Sequence, residues 1–289
     1  MTPELISPAV ARRTGVLHTA LRTPGAVVGG AVVVLLLLVA VAGPLLVPHS
    51  PTEPVPGGLA AAFAPPSLDH PLGLDGQGRD VLSRMIAGTR LTLAVGISAV
   101  LVGALIGTLV GAVAGSVGGV VDNATMRVVD LLLAFPSLLL ALGIVAAFGQ
   151  GRTQVVIAVG VTTVPVFARL VRSEVQRQTG LDYVSAARMY GSGRGRILLR
   201  HLIPNSAHLI VVQATLMLST TVIEVAALGY LGLGPADPRE AEWGSMLTEA
   251  TLTMRTEPQL LVWPSIALVI TAVAFNVLGD GLRHAVEED

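Results

Sequence analysis

The sequence contains no cysteine and no lysine, and it has few charged or aromatic residues. Charged residues make up 13% and aromatic residues 3% of the 289 positions, whereas an average soluble protein carries about 25% charged residues. Without cysteine the chain has no disulfide, no thiolate nucleophile and no cysteine-ligated metal or iron–sulfur centre. Without lysine it has no Walker-type ATPase site and no side chain for Schiff-base chemistry.

Apolar residues fill most of the remaining positions. Hydrophobic residues account for 52% of the chain, glycine contributes 32 residues, and the mean hydropathy is +0.73. A soluble globule with so little charge would be unable to cover its surface with polar groups. The composition therefore predicts an integral membrane protein.

Six largely uncharged runs are each long enough to cross about 30 Å of hydrocarbon as a helix. The runs are residues 26–47, 91–121, 127–149, 153–171, 205–231 and 258–279. We therefore predict an all-α integral membrane protein with six transmembrane helices. Its parts are a tail at 1–25, a first span at 26–47, a loop at 48–90 and a core at 91–289 that includes a loop at 172–205. Three spans contain a proline that is expected to kink the helix, namely Pro136, Pro165 and Pro264.

The first span has a second interpretation, as a signal peptide. Arg12, Arg13 and Arg22 precede the apolar run, and residues 40–42 are similar to a cleavage site. The apolar run continues to Val47 and is longer than a usual signal-peptide core, which favours a retained span.

Arginine is distributed unevenly between the two sides that six spans create. The side with the tail, the loop at 172–205 and the C-terminal end carries 12 arginines, and the other side carries 6 arginines with nine acidic residues. Cytoplasmic loops are enriched in arginine. We therefore predict that both termini are cytoplasmic and that the loops at 48–90 and 232–257 are extracytoplasmic.

Glycine recurs at every fourth position of the second span, at Gly103, Gly107, Gly111, Gly115 and Gly119. Small residues four apart let two helix backbones approach closely in lipid. The pattern indicates a tight interface with another span or another subunit. The alternative is chance placement in a glycine-rich chain.

Two acidic residues lie at membrane depth, where such residues usually face the bundle interior or water. Asp130 is near the cytoplasmic end of its span, and pairing with Arg127 one turn away is the favoured interpretation. Glu224 lies toward the outer end of the fifth span. It either lines a pathway or makes an interhelical hydrogen bond, and the sequence leaves both possibilities open.

The loop at 172–205 has more pattern than a loop that only sets orientation requires, although its seven arginines would serve that purpose. Asp182 or Ser185 is expected to cap a short helix that contains Ala186 and Ala187. Glycines at 191, 193 and 195 then interrupt the helix, and a second short helix from residue 197 is expected to end before Pro204. The glycine spacing does not match a phosphate-binding loop. We therefore predict a docking element for a cytoplasmic partner.

Membrane enzymes are not supported by any constellation in the sequence. The six histidines form no H-E-x-x-H motif. His201 and His208 are seven apart, but Pro204 lies between them and no third ligand is evident. We therefore expect no catalytic residue, no metal site, no cofactor in this chain and no nucleic-acid partner.

The loop resembles the cytoplasmic coupling loop of the permeases of ATP-binding-cassette (ABC) importers. The family pattern, which runs from Glu-Ala-Ala through a glycine to Leu-Pro, is matched by Ala186, Ala187, Gly191 and the stretch from His201 to Pro204. Other stretches resemble the second permease subunit of the dipeptide/oligopeptide (nickel) group, and they cover residues 70–289. They are residues 70–73, 78–84, 129–137, 231–234, 242–244 and 274–283. The family glutamate is replaced by Ser185, and the stretch after Gly191 is richer in glycine than usual.

The resemblance implies a permease in the bacterial plasma (inner) membrane that is not itself an enzyme. It implies a second permease subunit, two cytoplasmic ATPase subunits or domains that bind ATP and Mg, and an extracytoplasmic solute-binding protein. ATP-driven closure of the ATPases would move the coupling helices and switch the side to which the cavity opens. Peptides are the expected cargo, and relatives also move nickel chelates, glutathione and similar small solutes.

An ion-coupled secondary transporter is the main alternative. Such a protein needs ion-coupling residues near the membrane midplane. Glu224 is the one candidate that the sequence offers.

Overall fold

The computed structural model describes residues 23–234, 237 and 239–287. This part of the chain is helical, with one isolated β-bridge between Leu74 and Asp80. The α-helices are α1 (Pro24–Leu46), α2 (Val81–Val117), α3 (Gly119–Ala134), α4 (Ser137–Phe148), α5 (Arg152–Thr179), α6 (Asp182–Met189), α7 (Arg194–Ile197), α8 (Ile203–Leu228), α9 (Trp243–Thr251) and α10 (Gln259–Glu287). A 3₁₀ turn lies at Gly58–Ala61, and π-helical turns lie at Leu198–Leu202 and Gly229–Leu233.

Five helices in the described part are long and apolar enough to cross a membrane, namely α1, α2, α5, α8 with the turns that flank it, and α10. Helices α3 and α4 give a sixth crossing if they count as one broken span, since the chain bends by 93° between them. The all-α membrane fold predicted from the sequence is confirmed. The bend predicted at Pro136 is present, but it is a break between two helices and not a kink within one, because the first helix stops at Phe135 and the second starts after Pro136.

Two further boundaries differ from the prediction. The loop at 48–90 ends at residue 80, because Asp80 caps α2 by accepting a 2.7 Å hydrogen bond from the Ser83 backbone. Helix α1 begins at Pro24, inside the predicted tail, and residues 1–22 of that tail lie outside the described residues.

Helices α2 and α5 run parallel and in close contact, with the glycine ladder between them. A Cβ atom built on Gly103 would lie 2.9 Å from the Gly160 carbonyl oxygen, and one on Gly107 would lie 2.6 Å from the Val164 oxygen. At the far end, a Cβ on Gly115 would lie 2.9 Å from the Arg172 oxygen. The ladder therefore joins two spans of the same chain.

Gly111 continues the ladder against Ala168, whereas Gly119 does not belong to it. Gly119 begins α3, and a Cβ there would meet nothing within 4 Å. The inclusion of Gly119 in the predicted interface was wrong, because α2 ends at Val117 and the chain leaves the α2 axis at Gly118.

The helices define two ends of the molecule. The loop end comprises residues 47–80, 149–151 and the described residues of 234–258. The short-helix end comprises residues 180–203, the start of α1 and the end of α10. Glycine contacts place α1 and α10 antiparallel, because Gly281 meets Ala26 while Gly29 meets Ala274.

Candidate functional site

The predicted docking loop is a folded unit at the short-helix end. Helix α5 continues to Thr179, so the first eight residues of the predicted 172–205 loop belong to a span. Helix α6 follows, and α7 then runs through a π-helical turn directly into α8. The unit is therefore joined to α5 by the short turn at residues 180–181 and runs into α8 without a break.

Neither Asp182 nor Ser185 caps α6, contrary to the sequence expectation. The N-cap residue is Leu181, and no side chain accepts a cap hydrogen bond there. Asp182 is the first helical residue. Its negative charge interacts favourably with the positive end of the helix dipole, although it makes no cap hydrogen bond. Both side chains are exposed.

Helix α6 ends in a glycine-dependent turn. Gly191 has φ of +79°, and the Ser192 backbone N–H donates to the Ala187 carbonyl oxygen at 3.0 Å. This is the arrangement in which a left-handed glycine closes the last helical turn. Gly193 and Gly195 have no positive φ. Gly195 lies inside α7, so the expectation that it interrupts a helix was wrong.

Pro204 lies in the first turn of α8 and does not end the preceding helix, which corrects the sequence expectation. The π-helical turn before it explains the difference. Within that turn the Ile203 backbone N–H bonds to the Leu198 oxygen. The wider turn accommodates a proline, which has no N–H to donate and crowds the preceding carbonyl.

An apolar cluster fixes α6 from below. Val184 is fully buried in a cluster with Val171 and Val175 of α5. The cluster also contains Ile197 of α7 and Leu202 of the π-helical turn. Ala187 packs partly into the same cluster, so its side chain faces the protein's own core.

A chain of polar side chains connects α6 to both neighbouring spans. The Tyr183 hydroxyl donates to Gln178 Oε1 at 2.7 Å, and Gln178 Nε2 donates to Glu174 Oε1 at 2.6 Å and to Ser206 Oγ at 3.2 Å. Gln178 and Ser206 are buried. The Tyr183 ring also lies beside His201, with ring centroids 6.4 Å apart.

The far end of α6 presents an apolar and basic surface to solvent. Met189 is 82% and Tyr190 is 90% exposed. Around them are exposed arginines, which are Arg188, Arg194, Arg196 and Arg200. Large exposed apolar side chains with an arginine surround are typical of a protein interface.

The two acids at membrane depth both have partners on other helices. Asp130 pairs with Arg169 at 2.5 Å, so the expected partner Arg127 was wrong. Glu224, in α8, accepts a hydrogen bond from Ser137 of α4. This contact is an interhelical hydrogen bond at the restart of the broken span.

Sequence reasoning missed Glu242, which is 2% exposed at the loop end. Its carboxylate caps α9 by accepting from the backbones of Gly244 and Ser245 at 2.8 and 2.9 Å. Burial raises the pKa of this carboxyl, and the hydrogen bonds from the two backbones and from Thr92 oppose that rise. The acid directly before Trp243 and Gly244 was the available sequence signal.

Comparison with known proteins gives matches over most of the chain. Residues 107–289 match the family model of the binding-protein-dependent transport system inner membrane component, and residues 16–66 match the N-terminal TM domain of oligopeptide transport permease C. The glutathione transport system permease protein GsiD of Pectobacterium atrosepticum is 42% identical over 222 residues, which are 77% of this chain and 73% of the relative. GsiD of Escherichia coli strain UTI89 is 44% identical over 222 residues with the same coverage.

Among solved structures, a chain of the inward-facing MetNI methionine ABC transporter superposes with a TM-score of 0.56. The two sequences are 21% identical, and the match covers 71% of this chain and 97% of that chain. At this identity the likeness concerns the fold alone.

Proposed function

This chain belongs to the family of binding-protein-dependent transport system inner membrane components, and we propose that it forms a peptide translocation path together with a second, different permease. It is a multi-pass inner-membrane protein and a permease subunit of an ABC importer, without catalytic chemistry of its own. Such an importer also includes ATPase subunits and a binding protein. Two ATPase subunits or domains that hold ATP and Mg complete the proposed assembly.

Helix α6 is the observation that carries the mechanistic part of the proposal. Its exposed end, with Met189 and Tyr190, fits a groove on a cytoplasmic ATPase. On its buried face, Val184 packs on α5. Tyr183 of α6 also bonds to Gln178 of α5, and Gln178 in turn bonds to Ser206 of α8. A displacement of α6 on ATP-driven closure therefore moves α5 and α8 with it, because rigid packed elements transmit displacement.

The remaining residues of the unit serve this displacement. Ser185 lies on the exposed side of α6, Gly191 closes the helix, and His201 supports the Tyr183 ring. Pro204 starts α8 after the π-helical turn. Together these residues form the proposed ATPase-coupling element.

Peptides are the proposed cargo. Relatives with 42–44% identity are named as glutathione transport permeases, and glutathione is a small peptide. Nickel chelates or other small solutes are the alternative cargo for an importer of this group.

An ion-coupled secondary transporter is less well supported. Its one candidate residue, Glu224, is engaged with Ser137.

The orientation is proposed from the arginine distribution, with the short-helix end in the cytoplasm. The cysteine-free sequence allows a direct test with single cysteines. Ser50→Cys at the loop end should react with a membrane-impermeant maleimide in intact cells. Gly193→Cys, which is exposed with no atom within 4 Å of a built Cβ, should react only after permeabilisation. The reverse pattern would overturn the orientation.

Reconstitution tests the proposed function. The chain is placed in proteoliposomes with its partner permease, its ATPases and its binding protein, and uptake of labelled glutathione and short peptides is measured. We expect uptake that requires ATP and the binding protein and that persists when ion gradients are collapsed. Uptake that follows an ion gradient without ATP would contradict the proposal. ATP-dependent uptake of another solute alone would replace the peptide cargo.

A further inference from the structure

Three side chains with metal-binding atoms meet at the loop end, although they are far apart in sequence. His49 follows α1, His70 lies in the long loop, and Asp80 caps α2. One ligand atom from each residue lies within 4.8 Å of the other two. Among the described residues, these three form the group of histidine and acidic side chains whose ligand atoms lie close enough together to hold a metal ion.

The cluster is held in place by contacts on every member. Asp80 is fully buried, and its Oδ2 accepts from the Ser83 backbone while its Oδ1 lies 2.9 Å from His70 Nδ1. The His49 backbone N–H donates to Ser83 Oγ at 3.1 Å. The two imidazole rings lie 4.5 Å apart between centroids. The three ligands are therefore preorganised by α2 and the chain segments packed on its first turn.

His49 provides a second, independent observation. Its Nδ1 atom is buried and has no hydrogen-bond partner. A buried polar nitrogen without a partner is unfavourable, and it usually indicates a missing ligand, water or ion. The His49 ring lies beside the His70 ring, and a ligand atom of His49 lies within 4.8 Å of ligand atoms of both His70 and Asp80, which are residues that bind cations.

We infer that His49, His70 and Asp80 form a binding site for a divalent transition metal ion such as Zn²⁺ or Ni²⁺. Two imidazoles and one carboxylate are a common ligand set for these metals, whereas Ca²⁺ and Mg²⁺ prefer oxygen ligands. Bonds of about 2.1 Å in tetrahedral geometry place ligand atoms about 3.4 Å apart. In the structure the three ligand atoms lie within 4.8 Å of one another, so small rotations of the side chains would bring them to this spacing.

A bound ion would connect the end of α1, the long loop and the start of α2. Three protein ligands leave one coordination position for water or an external group. The site is separate from the coupling element at the short-helix end, so the inference goes beyond the proposed function and does not depend on it.

The test uses the full-length chain, purified in detergent with an affinity tag that contains no histidine and stripped with a chelator. Zn²⁺ and Ni²⁺ binding is measured by titration calorimetry, and thermal stability is measured with and without each metal. We expect one site per chain, and a rise in melting temperature with Zn²⁺ that Mg²⁺ does not produce.

His49→Gln is the decisive variant, because His49 makes no side-chain hydrogen bond that its loss would break. It should weaken Zn²⁺ binding at least about tenfold and abolish the thermal shift. His284→Gln is the matched control, since His284 is exposed and its Nδ1 lies 2.7 Å from the Asp280 carbonyl oxygen, away from the cluster. This variant should bind Zn²⁺ as the wild type does. Absence of Zn²⁺ binding in the wild type, or equal binding by His49→Gln, would overturn the inference. His70→Gln should give the same loss, but a folding defect there would leave His49→Gln to decide.

Discussion

The two ends of this permease treat charge in opposite ways. At the loop end, Arg79 and Arg84 are each 1% exposed, and both pair with Asp75 and Glu249. At the short-helix end, four arginines of the coupling element lie on the surface. Buried, mutually paired charges hold a loop in one arrangement, while exposed charges remain accessible to a partner. The comparison indicates a fixed structural role for the loop end and supports the docking role proposed for the short-helix end.

The loop end is also tied to the helices that reach it. Arg79 Nη2 donates to Glu249 Oε2 of α9 at 2.7 Å, although the two residues are 170 positions apart. Trp243 at the start of α9 is buried, and its Nε1 donates to the Met85 carbonyl of α2 at 3.2 Å. These contacts fix α9 and the long loop on the first turns of α2.

The largest effect is expected in the packing that joins the two ends. Gly107→Leu places a branched side chain against the Val164 carbonyl oxygen, 2.6 Å from a built Cβ. The backbone has little freedom to move away, so the loss of stability should be about 3 kcal/mol, the upper end of the usual cost of overpacking. Melting temperature and yield of the purified protein measure it.

Gly143→Leu is the control for that change. Gly143 is a helical glycine in α4 with nothing within 4 Å of a built Cβ. It should leave melting temperature and yield close to wild type. Equal melting temperature and yield of the two variants would contradict a close-packed glycine contact between α2 and α5.

The next largest effect is expected from the buried ion pairs at the loop end, compared with a more exposed pair. Glu249→Ala removes one of the two carboxylates that the buried arginines Arg79 and Arg84 share. Because the Glu249 side chain is 35% exposed, the loss should be about 2 kcal/mol, below the cost of breaking a fully buried pair. Glu240→Ala breaks the more exposed pair with Arg152, which should cost less than about 1 kcal/mol. Thermal unfolding of both variants in the same detergent gives the comparison. Similar losses would mean that burial at the loop end carries no special weight.

A smaller effect is expected within the coupling element. Gly191→Ala forces a side chain into φ of +79° and should cost about 1 kcal/mol. Gly193→Ala adds the same methyl group at an ordinary φ with open space and should cost less than half as much. If thermal unfolding does not separate these two variants, the turn after α6 is not under the constraint described.

The sequence was sufficient for features that depend on local pattern. Hydrophobic run length gave the spans, and the four-residue glycine spacing gave a close helix contact, because both follow directly from helix geometry. The short helices and the turn within residues 182–203 were indicated by two alanines followed by three closely spaced glycines. The ABC permease family was identified from the combination of short stretches in their order.

Features that depend on distant residues were not accessible in this way. Asp130 pairs with Arg169 and not with nearby Arg127, because α3 packs beside α5 in the fold. Local spacing also gave no direction for Ala187, which faces inward because α6 packs on Val171 and Val175 of α5. His49, His70 and Asp80 meet only through the fold of the long loop. Sequence spacing measures proximity along one helix and says little about contact between helices.

The proposed contact between the exposed end of α6 and an ATPase is tested most directly by one measurement. Binding-protein-stimulated ATP hydrolysis and peptide uptake are measured in the assembled importer with Tyr190→Asp. Tyr190 is 90% exposed, so the folded chain should keep wild-type melting temperature, while a carboxylate in an ATPase groove should be costly. Leu68→Asp is the control, because Leu68 is a fully exposed apolar residue at the loop end. The account predicts loss of stimulated hydrolysis and uptake in Tyr190→Asp alone, whereas wild-type coupling in that variant, with normal membrane abundance, would contradict it.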